Sequence, residues 1–144
     1  TVALVQKQTD LGLNGYASVE AQAAAIADDI AYNNHDVEDG LYAGLFTLKD
    51  LESVTLIREV REACLKRHPG IGDDLMDTGI IREMIGAMVN DVLDQSKKNL
   101  EALNPQSADD VRNAGRVMVE FSPAMFKKVE ELRAFLWKHM YRHE

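Results

Sequence analysis

The sequence predicts an all-α domain. Apolar residues recur at three- and four-residue intervals through several segments, and Ser/Thr-x-x-acid signatures stand ahead of two of them. No segment alternates apolar and polar residues in the manner of a half-buried strand.

Residues 1–17 read as an entry segment, with "LNGY" (Leu13–Tyr16) as a turn signal. Ser18 is the expected N-cap of a first helix, and Glu20 in its first turn suits the helix dipole. Val19, Ala23, Ile26 and Ile30 carry that helix from Val19 to Asp39, with Gly40 as its stop. Thr47–Asp50 has the form of a capping box. The run behind it directs Leu51, Val54, Ile57, Val60, Ala63 and Cys64 toward a core until His68–Gly70 ends it. Ile81, Ile85, Met88 and Val92 mark a long helix that finishes near Leu103–Pro105. Ser107–Asp110 opens a short helix that closes near Gly115. Ser122 and Pro123 supply a cap and an N1 proline for a last helix striped by Val129, Leu132, Leu136 and Met140. That pattern continues to Glu144 without Gly or Pro, and the chain opens on Thr1. The expectation is a single helical domain over residues 1–144, excised from a longer protein.

With 144 residues, 46% of them hydrophobic, the chain can bury one core. Its formal charge is −8, and residues 1–40 hold one base, Lys7, against seven acids. Such a surface repels nucleic acid and anionic membrane unless a cation intervenes. The single cysteine, Cys64, excludes an internal disulfide and fits a reducing compartment. No apolar run reaches membrane-spanning length and no signal-peptide pattern opens the chain, so a cytoplasmic protein without membrane contact is expected.

The stretch "ADDIAYNNHDVEDG" (Ala27–Gly40) concentrates the acidity. On a helix, Asp28, Tyr32 and Asp36 fall within roughly 80° of arc, at heights of about 0, 6 and 12 Å. A carboxylate at one end can meet a hard divalent cation; an aromatic ring can pack on a sugar; a second carboxylate can accept from a hydroxyl. The competing reading is a solvated acidic face with a half-buried tyrosine. Against it stands the absence of any lysine or arginine at i+4 from these acids, where solvated helices interleave both signs.

Other constellations carry less. His139 and His143 have metal-chelating i, i+4 spacing but no identifiable third ligand, and read as polar helix surface or an interface element. Cys64 reads as an inert core thiol, and Met76, Met84 and Met88 as core filling. No phosphate-binding glycine loop or di-iron Glu-x-x-His pair occurs.

The block "EAQAAAIADDIAYNNHDVEDGLYAGLF" (Glu20–Phe46) resembles the C-terminal part of the catalytic region of bacterial deoxyguanosinetriphosphate triphosphohydrolases and their dNTP triphosphohydrolase relatives, which are HD-domain metallohydrolases. "VRNAGR" (Val111–Arg116), "FSPAM" (Phe121–Met125) and "FLWKHMYRH" (Phe135–His143) extend the resemblance over most of the chain. It implies part of an HD-superfamily helical fold, with Asp28 as the final metal ligand, Tyr32 against the deoxyribose and Asp36 on the sugar 3′-hydroxyl. The implied cofactor is a divalent metal, Mg²⁺ or Mn²⁺, and the implied substrate a deoxynucleoside triphosphate, split to deoxynucleoside and triphosphate. The family's upstream histidine and His-Asp pair have no match here: "HD" occurs only at His35–Asp36, inside the wrong motif. The remaining ligands and the catalytic histidine are therefore expected ahead of Thr1, which would leave this chain inactive alone, and the parent is expected to be a homo-oligomer. Arg58, Arg61, Lys66, Arg67, Arg112 and Arg116 are candidate phosphate partners, with surface solvation the favoured competing role for each. The alternative is a helical regulatory or oligomerisation module without catalysis of its own.

Overall fold

Helix α1 spans Val19–Tyr42 in the computed structural model, which describes residues 15–70 and 72–142. Residues 1–14 of the entry segment, with the first half of its turn, lie outside the described residues. Ser18 caps α1 as expected, its Oγ accepting from the Ala21 N–H. The helix passes through Gly40 rather than stopping there. Gly40 is buried, and a Cβ at that position would overlap the Phe46 ring, so the glycine is a notch that admits the ring. The chain turns instead at Gly44, whose φ of 68° lies in the left-handed region.

The single helix expected from Thr47 to Arg67 is two. The capping box at Thr47 and Asp50 forms in both directions, but the helix it opens, α2, covers only Leu48–Leu51. Helix α3 begins at Thr55 and runs to Arg67. Its first turn has no local side-chain cap. Glu131, on α6 (Pro123–Leu136), accepts from the Thr55 N–H at 3.0 Å, and this contact holds its carboxyl below the usual range. A cap 76 residues away leaves no mark in local sequence.

Helix α4, Asp73–Leu103, is the spine against which α1 and α3 pack. Its buried stripe is Met76, Ile80, Met84, Met88 and Val92. The expected Ile81 and Ile85 stand one position off this register: Ile81 is half-buried and Ile85 is exposed. Both rows are apolar at i+4 spacing, so periodicity alone cannot tell which one the core takes. Asn104 ends α4 in a left-handed cap at φ 48°, one residue before Pro105.

Helix α5, Ala108–Arg112, carries its expected capping box at Ser107 and Asp110. Two buried amides hold the segment that follows. Gln22 Oε1 accepts from the Met118 and Val119 N–H groups at 2.7 and 3.1 Å, while its Nε2 donates to the Ala17 carbonyl. Asn99 Nδ2 donates to the Met118 carbonyl and the Glu120 carboxylate. Asp91 then accepts from the Ser122 N–H and O–H at 2.8 and 2.7 Å, fixing the start of α6 on α4. Ser122 and Pro123 act as cap and first residue, and Val129, Leu132 and Leu136 are buried as their spacing predicts. After Leu136 the backbone changes to a single π-helical turn, Trp137–Tyr141, on which Met140 is only half-buried. The α-helical pattern expected through Glu144 thus gives way at Trp137.

One core joins α1, α2, α3, α4 and α6, with Leu51, Leu56, Ile57, Met84, Met88 and Leu132 almost fully buried. Cys64 belongs to it as a buried free thiol. No helix among the described residues is long and apolar enough to cross a membrane, and no strand occurs there.

Candidate functional site

The apolar side of α1 determines where its acids go. Ile30, Asn34, Val37 and Leu41 point toward the bundle, with Asn34 donating to the Ile30 carbonyl at 2.7 Å. Asp28, Tyr32 and Asp36 fall on the opposite side, and uninterrupted helix from Val19 to Tyr42 keeps them in one row. Asp28 is exposed and has no ion pair or hydrogen bond among the described residues; Tyr32 is 64% exposed. Asp36 is half-buried.

Two residues absent from the sequence-derived site border this row. The Tyr141 hydroxyl donates to Asp36 Oδ2 at 2.6 Å. That bond, then burial and the charge of Asp36, raises the Tyr141 phenol above its ordinary pKa. The π turn enables the contact, since widening the helix at Trp137 changes the direction in which Tyr141 leaves α6. Arg133, one turn ahead of Trp137, reaches Asp29 Oδ2 at 3.3 Å and Glu130 Oε1 at 3.1 Å, and its Nε donates to Asn33 Oδ1 at 3.4 Å. The acids of α1 are therefore not wholly unpaired: Asp29 has a cation from another helix, which i+4 reasoning within α1 could not find. The one available signal was "YNNHD", where two asparagines on the core side of an amphipathic helix require partners.

As a cation site the row is partial. Asp28 offers a free carboxylate of the kind hard divalent ions take. Among the described residues no group of three or more His, Cys, Asp or Glu side chains converges on a common point. The histidine pair does not alter this: His139 stacks on Phe135 at 4.3 Å between ring centroids, and His143 lies outside the described residues. Of the candidate phosphate partners, Arg61 pairs with Glu52, Arg67 with Glu83 and Arg112 with Asp109. Arg58 donates to the Glu52 carbonyl and the Thr55 hydroxyl.

No family model matches the chain. It is 50% identical over 94% of its length to a deoxyguanosinetriphosphate triphosphohydrolase-like protein 1 of Mesorhizobium japonicum. It is 50% identical over 92% to a deoxyguanosinetriphosphate triphosphohydrolase-like protein of Caulobacter sp., and 46% identical over 99% to one of Caulobacter vibrioides. The chain spans about a third of the length of the curated relatives it matches.

Proposed function

We propose that this chain, a relative of the deoxyguanosinetriphosphate triphosphohydrolase-like proteins over almost its whole length, forms one wall of a metal-dependent site that hydrolyses deoxynucleoside triphosphates to deoxynucleoside and triphosphate. The supporting observation is the row Asp28–Tyr32–Asp36, kept on one outward face by unbroken helix. Asp28 would supply one oxygen ligand to Mg²⁺ or Mn²⁺, with the other ligands coming from chain outside these 144 residues. When bound, the metal lowers the pKa of water and neutralises charge developing on phosphate.

The remaining roles belong to the protein. Tyr32 offers a ring face one turn from Asp28, where a sugar would lie, and close packing there disfavours an added 2′-hydroxyl. Asp36 accepts a sugar hydroxyl a further turn along. The Tyr141 hydroxyl, already bonded to Oδ2, orients that carboxylate and leaves Oδ1 for substrate. Arg133 offsets the charge of Asp29 beside the phosphate end of the row.

The test is Asp28→Ala in the complete protein, assayed for triphosphate release with Mg²⁺ or Mn²⁺. The expected loss is about a hundredfold or more, since a direct ligand matters at least as much as the groups that orient ligands. Full retained activity would remove the assignment. Substrate preference separates the roles: Tyr32→Ala should narrow the discrimination between dGTP and GTP, whereas a tyrosine that serves packing alone would leave it unchanged.

A further inference from the structure

Among the described residues, a broad apolar surface lies between α1 and α4, on the flank of α1 that faces away from α6. It is an open groove of about 780 Å³. Its two walls are unlike. Ala23, Ala27 and Ala31 form an i+4 row of small residues on α1; Ile85, Val89 and Leu93 form an i+4 row of large ones on α4. Leu93 is 61% exposed, and Ile85 and Val89 are close to 40%. A patch of this kind, left uncovered by the described residues, marks a surface built to be covered.

A second, independent observation concerns the groove's floor. Asn34 Oδ1 and Ser96 Oγ are buried without a hydrogen-bond partner among the described residues, and both residues line the groove. Leaving such an atom unpaired costs about 1–3 kcal/mol. Asn34 is not free to turn away, because its amide nitrogen already donates to the Ile30 carbonyl and approaches the Met88 sulfur.

A helix fits these features better than a small apolar ligand does. Rows at i+4 spacing are the ridges by which helices interdigitate, and small residues on one wall let a third backbone approach. The relatives supply such a helix from within the same polypeptide, since about two thirds of their length lies outside the span shared with this chain.

We propose that in the longer proteins of this lineage the α1–α4 groove seats a helix from outside the shared span. That helix carries an apolar stripe for Ile85, Val89 and Leu93 and a hydrogen-bonding side chain for Asn34 Oδ1 and Ser96 Oγ. The inference stands on packing and does not depend on the metal or the reaction.

Cysteine labelling tests it. Leu93→Cys in the 144-residue chain should react with a maleimide at the rate of an exposed thiol, while buried Cys64 stays silent. In the complete Mesorhizobium japonicum relative, freed of its own reactive cysteines, a cysteine at the aligned position should react about tenfold or more slowly. A control cysteine in place of exposed Lys98 should label equally in both proteins. Equal rates at position 93 in the two proteins would overturn the proposal. So would slow labelling of the 144-residue chain that deepens with its concentration, because a second copy would then be the occupant. Ile85→Cys repeats the comparison should the first variant fold poorly.

Discussion

Tyr141 and Asp36 stand 105 positions apart, yet they make the shortest contact to any member of the acidic row. Because the phenol is held protonated by an accepting carboxylate, its folded pKa lies above the unfolded value. Its contribution to stability is then complete below the ordinary tyrosine pKa of about 10, and is lost as pH rises through the raised folded value. Spectrophotometric titration should show a tyrosine phase above the ordinary value of about 10, and Tyr141→Phe should abolish that phase. Amplitude lost from the ordinary tyrosine range, with no phase above it in the unsubstituted protein, would show that the bond does not form. Gln22 makes a second residue-scale case. Its side chain satisfies two backbone N–H groups, and Gln22→Leu would leave the Met118 N–H buried without an acceptor. The expected cost is about 1–3 kcal/mol, read from urea denaturation.

At the scale of elements, helix starts were legible wherever a local side chain caps them. Ser18, Thr47, Ser107 and Ser122 all act as N-caps. The start of α3 was not, because its cap is Glu131 on another helix. Glu131, Asp50 and Asp110 each hold depressed carboxyl pKa values through bonds to N–H or hydroxyl groups at helix starts. Groups shifted this way stabilise fully above the ordinary carboxylate pKa of about 4, and the stabilisation is lost as pH falls through their lowered values. Thermal melts should therefore drop in midpoint on acidification below that range, and Glu131→Gln should flatten part of the drop. Gly40 tests the notch in α1. Alanine gains up to about 1 kcal/mol in helix propensity. Displacing the Phe46 ring costs about 1–3 kcal/mol, so Gly40→Ala should lower the urea midpoint. Pairing it with Phe46→Leu should recover part of the loss; a stabilised single variant would mean that the ring moves aside freely.

The whole molecule carries its charge unevenly, with one base against seven acids in the first forty residues. Raising salt from about 0.01 to 0.15 M shortens the screening length from roughly 30 to 8 Å, which should relieve repulsion along α1 and raise the melting midpoint. A falling midpoint would mean that cross-helix pairs such as Arg133–Asp29 outweigh the repulsion.

All-α class, most helix starts and the single face shared by Asp28, Tyr32 and Asp36 were determined by the sequence alone, because caps and helical periodicity act over a few residues. Tertiary structure decided which of two apolar rows on α4 entered the core, what capped α3, and which side chains reached α1 from α6. Those outcomes depend on how helices far apart in the chain meet, and no local spacing records the meeting.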